Sequence, residues 1–200
     1  MARRKSSPTD AAARRQAIAQ IRQFPDPVLR QASRPVTAFD DDLAALAGRM
    51  VRIMHDANGA GLAAPQLGIL QRLFVYQLAD DEEPVALVNP EIVARSDETE
   101  AGGEGCLSLQ VLLEAEHDVA VERALRVTVR ALDIDGTPLE LEAEGMEARV
   151  IQHELDHLDG VLFLDRVTDP TTFTTWEQFE RFHRAAFVER ITQFVARVGS

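Results

Sequence analysis

Apolar residues recur at helical spacing in three stretches of this 200-residue chain. Between residues 40 and 57 they fall at every third or fourth position, and aspartates at 40–42 open the stretch. Because this spacing places apolar side chains on one face, and because acidic residues stabilise a helix N-terminus, it predicts an amphipathic helix. Residues 145–158 predict a second helix, and residues 173–197 predict a third with an aromatic stripe.

Strand-like patterns fill most of the chain between the first two helices. Apolar and polar residues alternate over 125–132, a turn sequence follows at 133–136, and residues 138–143 predict the returning arm of a hairpin. Three shorter runs rich in β-branched or aromatic residues predict further strands at 72–78, 85–88 and 91–95. Together these elements predict an α+β fold, with antiparallel strands packed around the helix at 145–158 and with a C-terminal helix.

Length and composition fit one domain with a sizeable core, since 46% of the 200 residues are hydrophobic. We expect a flexible N-terminal extension at 1–20, a catalytic domain at 21–170, and a C-terminal helix at 171–200 packed on the same domain. No apolar run is long enough to span a membrane, and the Arg-rich start lacks the apolar segment of a secretory signal. A single cysteine fits a reducing compartment, so we expect a cytoplasmic protein.

The net charge of −12 is spread unevenly along the chain. Residues 1–22 carry six basic residues and one acidic residue, whereas residues 23–172 together hold a charge of −18. Because contacts to phosphate need a basic surface, direct nucleic-acid binding by the core is not expected. The acidity otherwise serves solubility.

The segment at residues 152–160 carries the clearest chemistry. His153 and His157 are four residues apart, so a helix places both imidazoles on one face, where they can bind a single metal ion. Glu154 directly follows the first histidine and can flank the ion as a base without coordinating it. A surface helix that happens to carry two histidines would show the same pattern.

The only cysteine of the chain, Cys106, could supply a third ligand. A Cys-His-His set leaves the fourth position of a tetrahedral ion open, which is typical of catalytic and not of structural sites. These donors suit Zn²⁺ and tolerate Fe²⁺, Ni²⁺ or Co²⁺. The alternative is a buried free cysteine that acts as a small hydrophobic residue.

A third segment, at residues 59–66, is rich in small residues. Gly59 and Gly61 allow the backbone to lie close to a ligand or to a neighbouring strand. The segment lacks the Lys-Ser/Thr ending of a phosphate-binding P-loop. Gln66 could direct an amide N–H at a developing oxyanion, and a tight loop with an exposed glutamine is the alternative.

In this order the three segments resemble the motifs of the peptide deformylases. They read Gly-Ala-Gly-Leu-Ala-Ala-Pro-Gln at 59–66, Glu-Gly-Cys-Leu-Ser at 104–108 and Gln-His-Glu-Leu-Asp-His at 152–157. The resemblance spans about residues 20–168 and implies a metal-dependent hydrolase that removes the N-terminal formyl group from formyl-methionyl peptides, releasing formate. It also implies nascent chains at the ribosome as partners, and one Fe²⁺ per chain with Zn²⁺ as a frequent replacement.

The resemblance assigns roles to individual residues. It makes the cysteine and both histidines metal ligands, Glu154 the proton carrier, and the Gln66 amide and the Leu107 backbone N–H the oxyanion donors. Six residues are expected near the substrate: Gly59, Gly61, Gly105, Arg123, Met146 and Val150. Met146 and Val150 share the helix face of His153, so they are candidates for an apolar pocket wall, with plain core packing as the alternative.

One departure from the family pattern follows Ser108. Residues 109–117 replace a short Pro-containing turn with a longer, partly apolar run. We expect this run either to cover the edge of the substrate cleft or to pack as an edge strand.

Two other functions compete with the deformylase interpretation. A zinc metallopeptidase would need a further His or Glu ligand after His157, and a metal-stabilised binding protein would need neither Glu154 nor Gln66.

Overall fold

The computed structural model describes residues 8–79, 81–109 and 120–167, together with positions 181, 182, 184, 185, 188 and 189. Within these ranges the chain forms three α-helices: α1 (Pro8–Ile18), α2 (Asp41–Ala57) and α3 (Met146–Leu158). The described strands are β1 (Gly61–Ala63), β2 (Leu73–Tyr76), β3 (Val85–Arg95), β4 (Thr99–Gly103), β5 (Ala120–Ala124), β6 (Arg126–Leu132) and β7 (Pro138–Glu144). Short 3-10 helices lie at Pro27–Arg30, Ala64–Leu67, Leu107–Leu109 and Phe163–Arg166.

Helix α2 begins and ends where its sequence favours it. The Asp40 carboxylate accepts a 3.0 Å hydrogen bond from the backbone N–H of Leu43 and so caps the first turn. Asn58 ends the helix in the left-handed conformation, with φ of 58°. The apolar side is buried, as at Ala47 and Met50. The helix predicted at 40–57 is thereby confirmed.

The strands form a five-stranded antiparallel sheet in the order β1-β2-β3-β6-β7 and a separate two-stranded ribbon, β4–β5. Strand β2 is buried on both faces. Leu73 and Val75 belong to the core that contains α2, whereas Phe74 and Tyr76 belong to the core that contains α3. Because alternate residues of a strand face opposite sides, the sheet lies between the two helices. The predicted α+β class with antiparallel strands around a central helix is confirmed.

Strand β3 differs from the prediction of two strands at 85–88 and 91–95, because the chain runs through as one element. Pro90 has no N–H for the ladder, and the pairing with β6 shifts register between Val88 and Glu91. Asn89 takes a positive φ of 51°, and its side chain exchanges two 2.8 Å hydrogen bonds with the backbone of Val36. A local irregularity therefore replaces the break that the sequence indicated.

The two ends of the chain are described only in part. From Pro8 to Ile18 the chain forms α1, and Ala17 and Ile21 are buried in the core that contains α2. The domain bounds expected at 1–20, 21–170 and 171–200 stay predictions. Residues 1–7 lie outside the described residues. So does most of the helix predicted at 171–200, although its described positions have helical backbone. None of the described helices is long and apolar enough to cross a membrane.

Candidate metal centre

Helix α3 carries both histidines into the interior of the protein. Its residues Ile151, Leu155 and Leu158 are buried with the apolar side chains of the sheet. His153 and His157 are also buried, on a different part of the helix surface. Cys106 comes from another element, since it follows the ribbon strand β4 and precedes the 3-10 helix at Leu107–Leu109. Tertiary packing therefore brings together donors that lie about fifty residues apart along the chain.

Cys106, His153 and His157 form one compact cluster of donors, hereafter the Cys-His-His cluster. One ligand atom from each lies within 4.8 Å of the others. The Cys106 Sγ and the His157 Nε2 are 3.2 Å apart, and the imidazole centroids are 5.0 Å apart. An ion with metal–nitrogen bonds of about 2 Å and a metal–sulfur bond of about 2.3 Å fits donors at this spacing. The cluster could thus hold a metal ion, and it contains the three predicted ligands.

A buried carboxylate that the sequence reasoning missed orients His153. The Nδ1 of His153 donates a 2.8 Å hydrogen bond to Oε2 of Glu104, which leaves Nε2 free to face the cluster. Burial alone would raise the pKa of Glu104, but hydrogen bonds from Arg123 and His153 outweigh it and lower this pKa to about 2. The sequence did contain a signal for this contact, because Glu104 lies two residues before the candidate ligand Cys106. Metal-binding histidines commonly donate a hydrogen bond to such a carboxylate.

The two histidines have opposite electrostatic surroundings. Burial lowers the pKa of His157 well below 6.5, and its buried Nδ1 has no hydrogen-bond partner among the described residues. Burial also acts to lower the pKa of His153, but hydrogen bonds with Cys106 and Glu104 outweigh it and raise this pKa well above 6.5. Because a histidine ligand must be neutral, metal binding at this cluster has to displace a proton.

Glu154 lies beside the cluster with an unpaired oxygen. The residue is buried, and its Oε2 has no hydrogen-bond partner within the described part of the chain. Burial raises the pKa of Glu154 to about 7. A Cβ atom at Gly61 would fall 2.8 Å from the Glu154 carboxyl carbon, so the absence of a side chain on β1 makes room for this carboxylate.

Gln66 is buried and its amide is oriented by the protein. Its Oε1 accepts a 2.8 Å hydrogen bond from the backbone N–H of Ala63. Its Nε2 therefore faces the other way, 3.1 Å from Ser108 Oγ and 3.7 Å from Cys106 Sγ. This geometry rules out the alternative of a tight loop with an exposed glutamine. An amide N–H group is directed at the cluster.

The residues predicted near the substrate fall into different surroundings. A Cβ atom at Gly59 would lie 2.7 Å from a side-chain carbon of Leu107, whereas one at Gly105 would meet nothing within 4 Å. Met146 is 63% exposed at the start of α3, and Val150, one turn later, is half-buried. Of the run predicted to differ from the family, residues 110–117 lie outside the described residues.

Arg123 requires a correction, because its guanidinium is engaged inside the protein and is not free for a substrate. It donates to both oxygens of Glu104, at 2.8 and 2.9 Å, and to Asp156 at 2.5 Å. Asp156 also accepts a 2.6 Å hydrogen bond from Arg166. A buried guanidinium needs such partners, since an unpaired buried charge is strongly unfavourable. Arg123 thus supports Glu104, which in turn orients His153.

Comparisons with known proteins point to one family. A family model described as polypeptide deformylase matches residues 18–173. A peptide deformylase from Thermotoga neapolitana is 48% identical over 147 residues, which cover 74% of this chain and 85% of that protein. The crystal structure of peptide deformylase from Thermotoga maritima superposes with a TM-score of 0.69 at 47% identity, covering 74% and 97% of the two chains. A Synechococcus elongatus peptide deformylase solved in complex with actinonin gives a TM-score of 0.70 at 41% identity, covering 76% and 80%.

Proposed function

Because the chain belongs to the polypeptide deformylase family, we propose that it removes the N-terminal formyl group from formyl-methionyl nascent peptides and releases formate. The observation that carries this proposal is the Cys-His-His cluster beside the unpaired Oε2 of Glu154. A purely structural zinc site has four protein ligands. Among the described residues only three donors converge here, which leaves a coordination position for chemistry.

Cys106, His153 and His157 would hold one divalent ion. When bound, such an ion supplies Lewis acidity, which makes water more acidic and polarises a carbonyl group. The donor set fits Fe²⁺, Zn²⁺, Ni²⁺ and Co²⁺. We take Fe²⁺ as the working ion because of the family resemblance. The affinity order of divalent ions favours Zn²⁺ over Fe²⁺, so zinc is the expected replacement.

Glu154 is proposed to carry the proton in the reaction. It takes a proton from the attacking water and passes it to the departing amine, so that a free N-terminus leaves. Its place directly after His153 on α3 and its unpaired Oε2 support this role. No other described contact engages that oxygen, and so the carboxylate is free to accept a hydrogen bond from water.

Two N–H groups are proposed to stabilise the oxyanion that forms from the formyl oxygen. The first is the Gln66 amide, whose Nε2 is already directed at the Cys-His-His cluster. The second is the backbone N–H of Leu107, which directly follows the Cys106 ligand. Donors held in place before the reaction stabilise developing charge without reorganisation.

Substrate selectivity is proposed to come from restricted space near the cluster. Gly59 packs against Leu107 and Gly61 packs against Glu154, so little room remains for an acyl group larger than formyl. One misfitting methyl group is worth roughly 1–3 kcal/mol in binding. Gly105 would let a peptide backbone approach, while Met146 and Val150 would contact the methionine side chain. Arg123 is not part of this set, because its guanidinium forms ion pairs with Glu104 and Asp156.

The decisive experiment compares two peptides that differ by one methyl group. Full-length protein loaded with Fe²⁺ under exclusion of oxygen is incubated with a formyl-methionyl tripeptide and with its acetyl-methionyl counterpart, and released formate or acetate is measured. We expect formate release with a kcat/KM at least about 10-fold above the acetate reaction. Absence of formate release would contradict the proposal, and cleavage of internal peptide bonds would favour a metallopeptidase.

Replacement of Gly61 by alanine tests the placement of Glu154. The new methyl group would fall 2.8 Å from the carboxyl carbon and push the carboxylate away. A displacement of about 1 Å can cost about 10²-fold in rate, so kcat should fall strongly while metal content stays unchanged. Gly48→Ala on α2 is the matched control, since its added Cβ has 3.6 Å to the nearest described atom. Equal kcat values for both variants would show that Glu154 does not depend on Gly61.

Action on nascent chains at the ribosome and a cytoplasmic location belong to the same proposal. Formyl-methionyl N-termini arise during translation, and the single cysteine fits a reducing compartment. The segment 23–172 carries a net charge of −18, which disfavours contacts with RNA phosphates. We therefore expect the core to meet its substrate through the emerging peptide and not through ribosomal RNA.

A further inference from the structure

Arg149 lies on α3, one turn before His153, yet its side chain is only 8% exposed. Its guanidinium turns toward the β4–β5 ribbon and donates to backbone oxygens of both strands as well as to a carboxylate. The acceptors are the carbonyls of Glu100 at 2.7 Å, Val121 at 2.9 Å and Gly102 at 3.3 Å, and the Glu104 carboxylate at 3.1 Å. One side chain therefore attaches the ribbon to the helix that carries the histidines.

The ribbon has the space that this guanidinium needs. A Cβ atom at Gly102 would lie 2.9 Å from the Arg149 Cζ. Gly102 is not among the described glycines with positive φ, so its backbone conformation does not demand glycine. Room for Arg149 is the physical reason for the missing side chain.

This attachment matters for the Cys-His-His cluster because its donors come from two separate elements. His153 and His157 are fixed on α3, whereas Cys106 follows the ribbon strand β4 by three residues. Glu104, between the ribbon and Cys106, receives hydrogen bonds from both Arg149 and His153. A shift of the ribbon on α3 would therefore change the distance between the thiolate and the imidazoles.

We infer that Arg149 is a positioning residue that sets the distance between Cys106 and the histidine pair by holding the β4–β5 ribbon on α3. This inference rests on the proposed ligand set. Loss of Arg149 would remove this donor from the backbone carbonyls of Glu100, Gly102 and Val121 and from the Glu104 carboxylate. Substitution of a partner that orients metal ligands typically costs 10–100-fold in metal affinity, so we expect a loss of about that size.

The test measures Co²⁺ binding to the metal-free full-length protein at a temperature well below unfolding. Six proteins are compared: the unchanged chain, Arg149→Met, Arg149→Lys, Gly102→Ala, the double variant with Arg149→Met and Gly102→Ala, and Arg130→Met as a control. Arg130 is an exposed arginine of β6 paired with Glu140, so its replacement removes an ion pair remote from the cluster. Dissociation constants, the thiolate-to-cobalt absorption band and the melting temperature without metal are recorded for each.

For Arg149→Met and Gly102→Ala we expect Co²⁺ affinity to fall about 10-fold or more and the thiolate-to-cobalt band to weaken or shift. Arg130→Met should match the unchanged chain in both readouts. Arg149→Lys should recover only part of the loss, because a lysine cannot present the fork of donors. In the double variant, Gly102→Ala should lower the Co²⁺ affinity little beyond the loss caused by Arg149→Met, since the two residues act through one contact.

A purely structural role would lower the melting temperature without metal and leave the affinity and the cobalt band unchanged, and that result would overturn the inference. The inference would also be overturned if Gly102→Ala lowered the Co²⁺ affinity as strongly in the Arg149→Met variant as in the unchanged chain. If the unchanged chain showed no thiolate-to-cobalt band, the proposed ligand set itself would fail, and the inference with it.

Discussion

Replacement of Glu154 by glutamine is expected to lower kcat by about 100-fold or more while the metal content and the fold stay intact. Glutamine has nearly the same shape, so it fits the space beside Gly61, but it cannot accept and return a proton. Oε2 of Glu154 has no hydrogen-bond partner among the described residues. Replacement of this oxygen by an amide nitrogen therefore breaks no described hydrogen bond. The measurement is kcat for a formyl-methionyl peptide, together with the metal content of each sample.

Glu147→Gln is the matched control for this change, because Glu147 lies on the same helix and accepts a hydrogen bond from the Tyr76 hydroxyl, which a glutamine oxygen can also accept. This control should keep both its metal and its rate. A metal-replete Glu154→Gln protein that works at the unmodified rate would remove Glu154 from the proton-transfer role. Loss of metal in that variant would instead mean that Glu154 helps to hold the ion.

Replacement of Cys106 by alanine is expected to abolish both metal retention and turnover. The change leaves only two histidine donors, fewer than the three protein ligands that catalytic zinc sites use. It also removes the sole thiolate, the softest donor of the set. After dialysis, metal analysis should find about one ion per unmodified chain, as implied by the one three-donor cluster among the described residues, and close to none in the variant.

Thermal unfolding gives an independent measure of metal binding. An ion that binds only the folded protein raises its melting temperature, and the shift grows with the ratio of free ion to Kd. Added Zn²⁺ should stabilise the unmodified protein and leave Cys106→Ala nearly unaffected. Full metal occupancy in Cys106→Ala would show that the thiolate is not a ligand.

The sequence predicted those parts of the fold whose signals are local. Helix α2 combines helical spacing of apolar residues with an aspartate cap, and the β6–β7 hairpin combines alternation with a turn sequence. The metal site was predictable for a related reason. The spacing of His153 and His157 on one helix face and the single cysteine restrict the ligand set before any contact is known.

The parts that the sequence did not predict depend on distant partners. Strand β4 has the sequence Thr-Glu-Ala-Gly-Gly, which shows no alternation, and Arg149 on the neighbouring helix donates to its backbone. An arginine on an amphipathic helix is normally expected in solvent, so the burial of Arg149 could not be predicted from the sequence. The resemblance to the family suggested that Arg123 contacts the substrate. Its actual partners, Glu104 and Asp156, lie on elements that only the fold brings together.

The outer edge of the main sheet bears on self-association. Among the described strands, β7 is the last in the five-stranded order, so one side of its backbone has no strand partner there. Such an edge is a template for pairing with another molecule. Glu140, Glu142 and Glu144 are exposed along it, and Arg130 and Arg126 of β6 offset the charges of Glu140 and Glu144. Two copies brought edge to edge would therefore place the Glu142 carboxylates, which have no ion pair among the described residues, close together. Part of the acidity of this chain is thus located where it opposes the growth of sheets between molecules.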